Sequence, residues 1–128
     1  MKLLPAPDPV TVATVRQALK DLAFAGEGKT RRTVAVLGDL TAEPGELMEL
    51  GRFLVRLDLT SLVVVGAASG QVHAGAVLEG SWGQESRHVG TQEEAVALLR
   101  PELTGDDALL VIGAPEVLAC LTAPEGTA

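Results

Sequence analysis

Three short runs of strand-forming residues, free of charge and each closing on glycine, set the limits on what this chain can fold into. They are Thr33-Val34-Ala35-Val36-Leu37-Gly38, Ser61-Leu62-Val63-Val64-Val65-Gly66 and Ala108-Leu109-Leu110-Val111-Ile112-Gly113. A strand with one wet face alternates apolar and polar residues; a strand covered on both faces does not. Three continuous runs with helical segments between them predict an α/β domain of three layers, with about four strands in a parallel or mostly parallel sheet and helices on both faces. Ligands of such sheets meet the carboxyl ends of the strands. Gly38, Asp39, Gly66 and Gly113 are predicted to share that edge.

The 128 residues are expected to form one domain, 1–128, large enough for a real core. No apolar run approaches the roughly 20 residues of a bilayer span, so no membrane partner is expected. A net charge of -7 repels a nucleic-acid backbone, and Lys29-Thr30-Arg31-Arg32 is too short a cluster to reverse that. No charged-then-apolar leader precedes the first helical pattern, so the cytoplasm is the expected location by default. One cysteine and two histidines make no structural zinc set, and His73, His88 and Cys120 share no spacing that joins them.

In chain order, Pro5, Pro7 and Pro9 mark a leading arm. Asp8-Pro9 has the form of a helix cap followed by proline at the first helical position, predicting a helix over 9–24. Further helices are expected over 46–57, over 71–79 where Gly75 weakens it, from the Thr91 cap to about 100, and over 116–121. Residues 87–89 read as a short edge strand. Cys120, within an apolar run, is expected to be a small buried hydrophobe, Asp106-Asp107 to cap a turn, and residues 122–128 to fray.

Ala23-Phe24-Ala25-Gly26-Glu27-Gly28-Lys29-Thr30 has a relaxed phosphate-loop spacing, but it ends a helix and opens a strand. A working phosphate loop does the reverse, so a helix cap and turn is the better reading. Gly66-Ala67-Ala68-Ser69-Gly70, a glycine-rich turn before a helix, is either an anion-binding turn or close helix-to-strand packing. Asp39, at the end of its strand, either meets a cation, amine or ribose or caps the following turn. The candidate substrate-binding residues are Asp39, Ser69 and Gly113, for a small-molecule amine or anion.

The order of features resembles the carboxyl-terminal domain of the Mur ligases, above all the branch that adds D-alanyl-D-alanine to the peptidoglycan precursor. Ala35-Val36-Leu37-Gly38-Asp39-Leu40 stands where that family closes a strand on Leu-Gly-Asp-Met. Gly51-Arg52-Phe53 and Val65-Gly66 resemble its later helix and strand end, Gly75-Ala76 its Glu-Gly-Ala, and Asp8-Pro9-Val10-Thr11 its Asn-Pro-x-Ser opening. The likeness runs over nearly the whole chain and implies a Rossmann-like fold. It also implies work in cell-wall synthesis by ligases that form an acyl phosphate on ATP for an amine to attack.

The departures fall on functional positions. In the family's nucleotide-holding loop only Asp8 stands in place, as a carboxylate for an amide, and is the one candidate cofactor-binding residue. The Lys-Gly-Ser-Arg strand end becomes Ile112-Gly113-Ala114-Pro115, and the family's helix histidine corresponds to Leu47. ATP and magnesium are implied only for a whole ligase, whose central and amino-terminal domains would be this chain's partners. No catalytic residue and no metal ligand is expected here. The alternative is a stand-alone binding or scaffold module that keeps the fold.

Overall fold

The strand-forming runs pair as their composition predicts. A computed structural model describes residues 1–26 and 31–122. The chain order is β1 (Lys2–Leu3), α1 (Val12–Ala25), β2 (Thr33–Leu37), α2 (Pro44–Arg56), β3 (Ser61–Val65), α3 (Gly70–Leu78), β4 (Ser86–Val89), α4 (Gln92–Leu99), β5 (Ala108–Ile112) and α5 (Pro115–Thr122). All five strands are parallel, in the spatial order β1-β5-β2-β3-β4.

Side chains of the three central strands alternate between two cores, which is why their sequences do not alternate in polarity. Ala35, Leu37, Leu62, Val64, Leu110 and Ile112 pack against α1, α2 and α3 through residues such as Leu19, Leu50 and Val72. Val34, Val36, Val63, Val65, Leu109 and Val111 face the other way, onto Ala95 and Leu99 of α4 and Val117 of α5.

Beyond shifts of one or two residues at element ends, such as α2 opening at Pro44 rather than at 46, three details differ from the sequence reading. The sheet has a fifth strand, because the arm's first residues join β5: the Lys2 amide bonds the Asp107 carbonyl at 2.8 Å and the Leu4 amide that of Leu109 at 2.9 Å. Two residues are too few to show a periodicity. Helix α1 starts at Val12 rather than at 9, because Thr11 and Thr14 cap it reciprocally: the Thr14 amide donates to Thr11 Oγ1 at 3.1 Å and the Thr11 amide to Thr14 Oγ1 at 2.8 Å. Cys120 is exposed rather than buried, since α5 lies over one edge of its core and buries only Val117.

Gly26 caps α1, and β2 follows from Thr33. The rest of the phosphate-loop-like stretch, residues 27–30, lies outside the described residues, as does most of the tail expected to fray.

At the amino ends of the strands, Asp107 is 1% exposed and fully engaged. It accepts from Arg32 Nε at 3.2 Å and Nη2 at 3.1 Å, from the Thr104 amide at 3.0 Å and from Thr104 Oγ1 at 3.1 Å. The expected turn cap is thus also an ion-pair anchor between the ends of β2 and β5. Asp107→Ala strands the Thr104 amide and the Arg32 charge, with an expected loss of about 2–3 kcal/mol in urea denaturation, less than a fully buried pair because Arg32 is half exposed. A loss below about 0.5 kcal/mol would show that water replaces the carboxylate.

Candidate functional site

The chain leaves β2 toward the α1–α3 layer and leaves β5 toward the α4–α5 layer, so the direction of winding reverses between these neighbours. Such a reversal opens the carboxyl edge of a parallel sheet to ligands. Here Gly38 and Asp39 end β2, and Gly113 and Ala114 end β5.

The two strand ends stay bonded past the regular ladder. The Gly38 amide donates to the Ile112 carbonyl at 2.8 Å and the Asp39 amide to that of Gly113 at 2.9 Å. Gly113 has φ +74°, and a Cβ there would run into the Asp39 backbone; a Cβ on Gly38 would run into the Gly113 carbonyl. The space left by these glycines is therefore filled by the chain's own backbone. Asp39 and Gly113 remain exposed at the lip.

Ser69 is fully buried, and its hydroxyl donates to the Gly38 carbonyl at 2.5 Å. It clasps the turn at residues 66–70 onto the end of β2, so its Oγ–H is already committed. Asp8 is exposed on the arm, and its Asp8–Pro9 peptide is cis. Shortly after it, Val10 and Thr11 share a hollow of about 10 Å³ with Leu40, Thr41 and Ala42. The residues that follow Asp8 and Asp39 thus come together, around a space too small for more than a water.

Two features had no sequence signal. The Gln92 side chain in the first turn of α4 accepts from the Glu116 and Val117 amides at 2.8 and 3.2 Å, and so occupies the amino end of α5. His88 and His73 stand beside the turn at 66–70, their ring centroids 5.7 Å apart. Burial, and then the neighbouring His88, hold the His73 imidazole below its ordinary value. A wider hollow of about 760 Å³ lies between α4 and α5, lined by Val96, Ala97, Arg100 and Cys120 among others.

Segments 38–42, 66–70 and 113–116 carry the carboxylates Asp39 and Glu116 and no lysine or arginine. That edge attracts an ammonium group and repels a polyphosphate. The end of β5 carries apolar Ile112, Ala114 and Pro115, and Gln92 already sits on the α5 amides. Among the described residues no group of three or more His, Cys, Asp or Glu is placed to hold a metal ion, and no helix is long and apolar enough to cross a membrane.

A five-stranded parallel sheet covered on both faces, with a glycine-built reversal between its central strands, defines a Rossmann-like three-layer α/β domain. No protein-family model matches the chain. The UDP-N-acetylmuramoyl-tripeptide–D-alanyl-D-alanine ligase of Mycobacterium leprae is 40% identical over 115 residues, covering 77% of this chain and 22% of the relative. That of Mycobacterium tuberculosis is 42% identical over 113 residues, covering 74% and 22%. Among solved structures, MurF from Acinetobacter baumannii superposes with a TM-score of 0.63 over 86% of this chain and 24% of that one; at 23% identity the likeness shows the fold. The chain belongs to the Mur ligase family, as a domain that spans 22% of the length of these curated relatives.

Proposed function

We propose that this chain serves as the closing, carboxyl-terminal-type domain of an ATP-dependent ligase that adds D-alanyl-D-alanine to a cytoplasmic peptidoglycan precursor. The observation that carries this reading is the 40–42% identity to D-alanyl-D-alanine ligases across about three quarters of the chain. The acidic lip at Asp39 supports a role on the amine side of the reaction. A carboxylate there holds the ammonium of an incoming dipeptide near the reversal point until the proton is lost and the amine attacks. In this reading Asp8 contributes from the arm, whose following residues Val10 and Thr11 meet Leu40 to Ala42, and Ser69 and Gly113 act through the backbone they fix. The partners in this reading are the amino-terminal and central domains of the ligase, which supply ATP, magnesium and the acyl phosphate. The chain alone is not catalytically competent.

Calorimetry of the isolated chain with ATP and magnesium is expected to give no binding tighter than about 10 μM, near -7 kcal/mol. Tighter binding would return the nucleotide site to this domain. A chimera tests the function itself: the chain replaces the matching segment of a mycobacterial ligase, and dipeptide-dependent ADP release is measured. Turnover within about tenfold of the parent supports the ligase reading. A folded but inactive chimera supports the second reading, a non-catalytic binding or scaffold module, which the closed backbone at the reversal point and the committed Ser69 hydroxyl favour.

A further inference from the structure

The turn at residues 66–70 is held from both sides by side chains, and only one of them, Ser69, belongs to the turn itself. On the outer side stands His88, at an exposed position of the edge strand β4. Its Nε2 lies 2.8 Å from the Gly66 carbonyl oxygen. A carbonyl can only accept, so Nε2 carries the hydrogen. The Gly66 amide in turn donates to the Val89 carbonyl at 2.8 Å, so both backbone polar groups of Gly66 are tied to β4. The same imidazole packs against the far end of the turn: a Cβ on Gly70 would stand 3.2 Å from His88 Cε1. One ring therefore spans the turn from first residue to last, while Ser69 ties its underside to Gly38.

His73 braces the ring. Its centroid lies 5.7 Å from that of His88 with the planes at 37°, and its Nδ1 is 2.8 Å from the hydroxyl of buried Ser86.

We propose that His88 is a positioning residue for the carboxyl-edge site: its Nε2–H fixes the turn at residues 66–70, and with it the backbone that an amino-acid or dipeptide substrate meets beside Asp39. The inference rests on the reading of that edge as the substrate site, but the first arm of its test does not.

That arm is amide hydrogen exchange on the 128-residue chain and on H88L and H88Q. Leucine keeps bulk against Gly70 and removes the donor; glutamine can return an Nε2–H to the Gly66 carbonyl. H88L is expected to speed exchange of the bonded Gly66, Gly70 and Val72 amides by about tenfold, the loss of one net hydrogen bond, and to leave Val36, Val64 and Leu110 unchanged. H88Q brings the rates back to within about threefold of the parent. Unchanged rates in H88L overturn the proposal. So does an H88Q that behaves like H88L, and so does a rise shared by the core amides, which would make His88 a stability residue only. In the second arm D-alanyl-D-alanine is titrated and chemical shifts are followed: H88L weakens the response at Asp39 and residues 66–70 several-fold, and H88Q restores it. A parent chain with no response there at millimolar dipeptide refutes the reading of the edge as a substrate site, while the exchange arm still decides whether His88 positions the turn.

Discussion

Val36→Asp is expected to abolish the cooperative thermal transition of this chain. Val36 is fully buried at the centre of the sheet, in register with Val63 on one side and Val111 on the other. Its side chain lies among Val34, Val63, Leu109 and Ala95, an entirely apolar set. A carboxylate there either ionises without a partner or takes up a proton and still loses its hydrogen bonds to water. Either route costs several kcal/mol, against a total stability of about 5–15 kcal/mol for a domain. Val36→Ala separates charge from volume: it leaves a transition, lowered by about 2–3 kcal/mol. Circular dichroism melts decide the matter. A Val36→Asp chain that melts cooperatively, within about 2 kcal/mol of the parent, would remove β2 from the centre of the sheet.

What made β2 legible also explains what was not. A strand buried on both faces writes its position into every residue, so β2, β3 and β5 could be read directly from their apolar runs. β1 writes nothing of the kind: its two residues are strand only because β5 offers an unpaired edge to the Lys2 and Leu4 amides. The start of α1 turned on a threonine standing where a capping box more often has Glu or Gln, and Thr14 plays that part with its hydroxyl. Cys120 shows the limit of pattern on a short helix. An eight-residue helix lying over one edge of its core buries a single position, so an apolar run says little about its other residues.

The candidate site was legible as a position in the fold and not as a set of contacts. That a parallel sheet exposes its carboxyl edge at a winding reversal follows from topology, and it put Asp39 and Gly113 at the lip. The glycines, however, fill the space with backbone rather than open it, because β2 and β5 remain bonded through Asp39. Ser69 is placed there for the Gly38 carbonyl. His88 and Gln92 act across 22 and 24 residues of sequence, on Gly66 and Glu116, and no local spacing announces a polar side chain that reaches a distant backbone. The motifs that carry the family likeness are also partly structural: Gly51 and Gly75 lie where α2 and α3 cross, and Arg52 bonds Glu79.

That crossing carries the second large effect. A Cβ on Gly75 would run into the Met48 carbonyl of α2, and a Cβ on Gly51 into the Val72 carbonyl of α3, so the two helices meet backbone to backbone at reciprocal glycines. Neither obstacle is a side chain that can swing aside. Separating the helices would also part Glu79 from Arg52 and Arg56, which reach it at 3.1 and 2.9 Å and hold its carboxyl below the usual range, Arg56 most strongly. It would uncover the buried packing of Leu47, Val72 and Ala76 as well. Gly75→Ala is the decisive substitution because intrinsic preference and packing act in opposite directions. On an open helix face alanine gains about 1 kcal/mol over glycine. At this crossing it is expected to lose about 2–3 kcal/mol, and Gly75→Val about 3–5 kcal/mol, both read from the midpoint of urea unfolding. A stabilised Gly75→Ala chain would mean that α2 and α3 do not touch at this glycine.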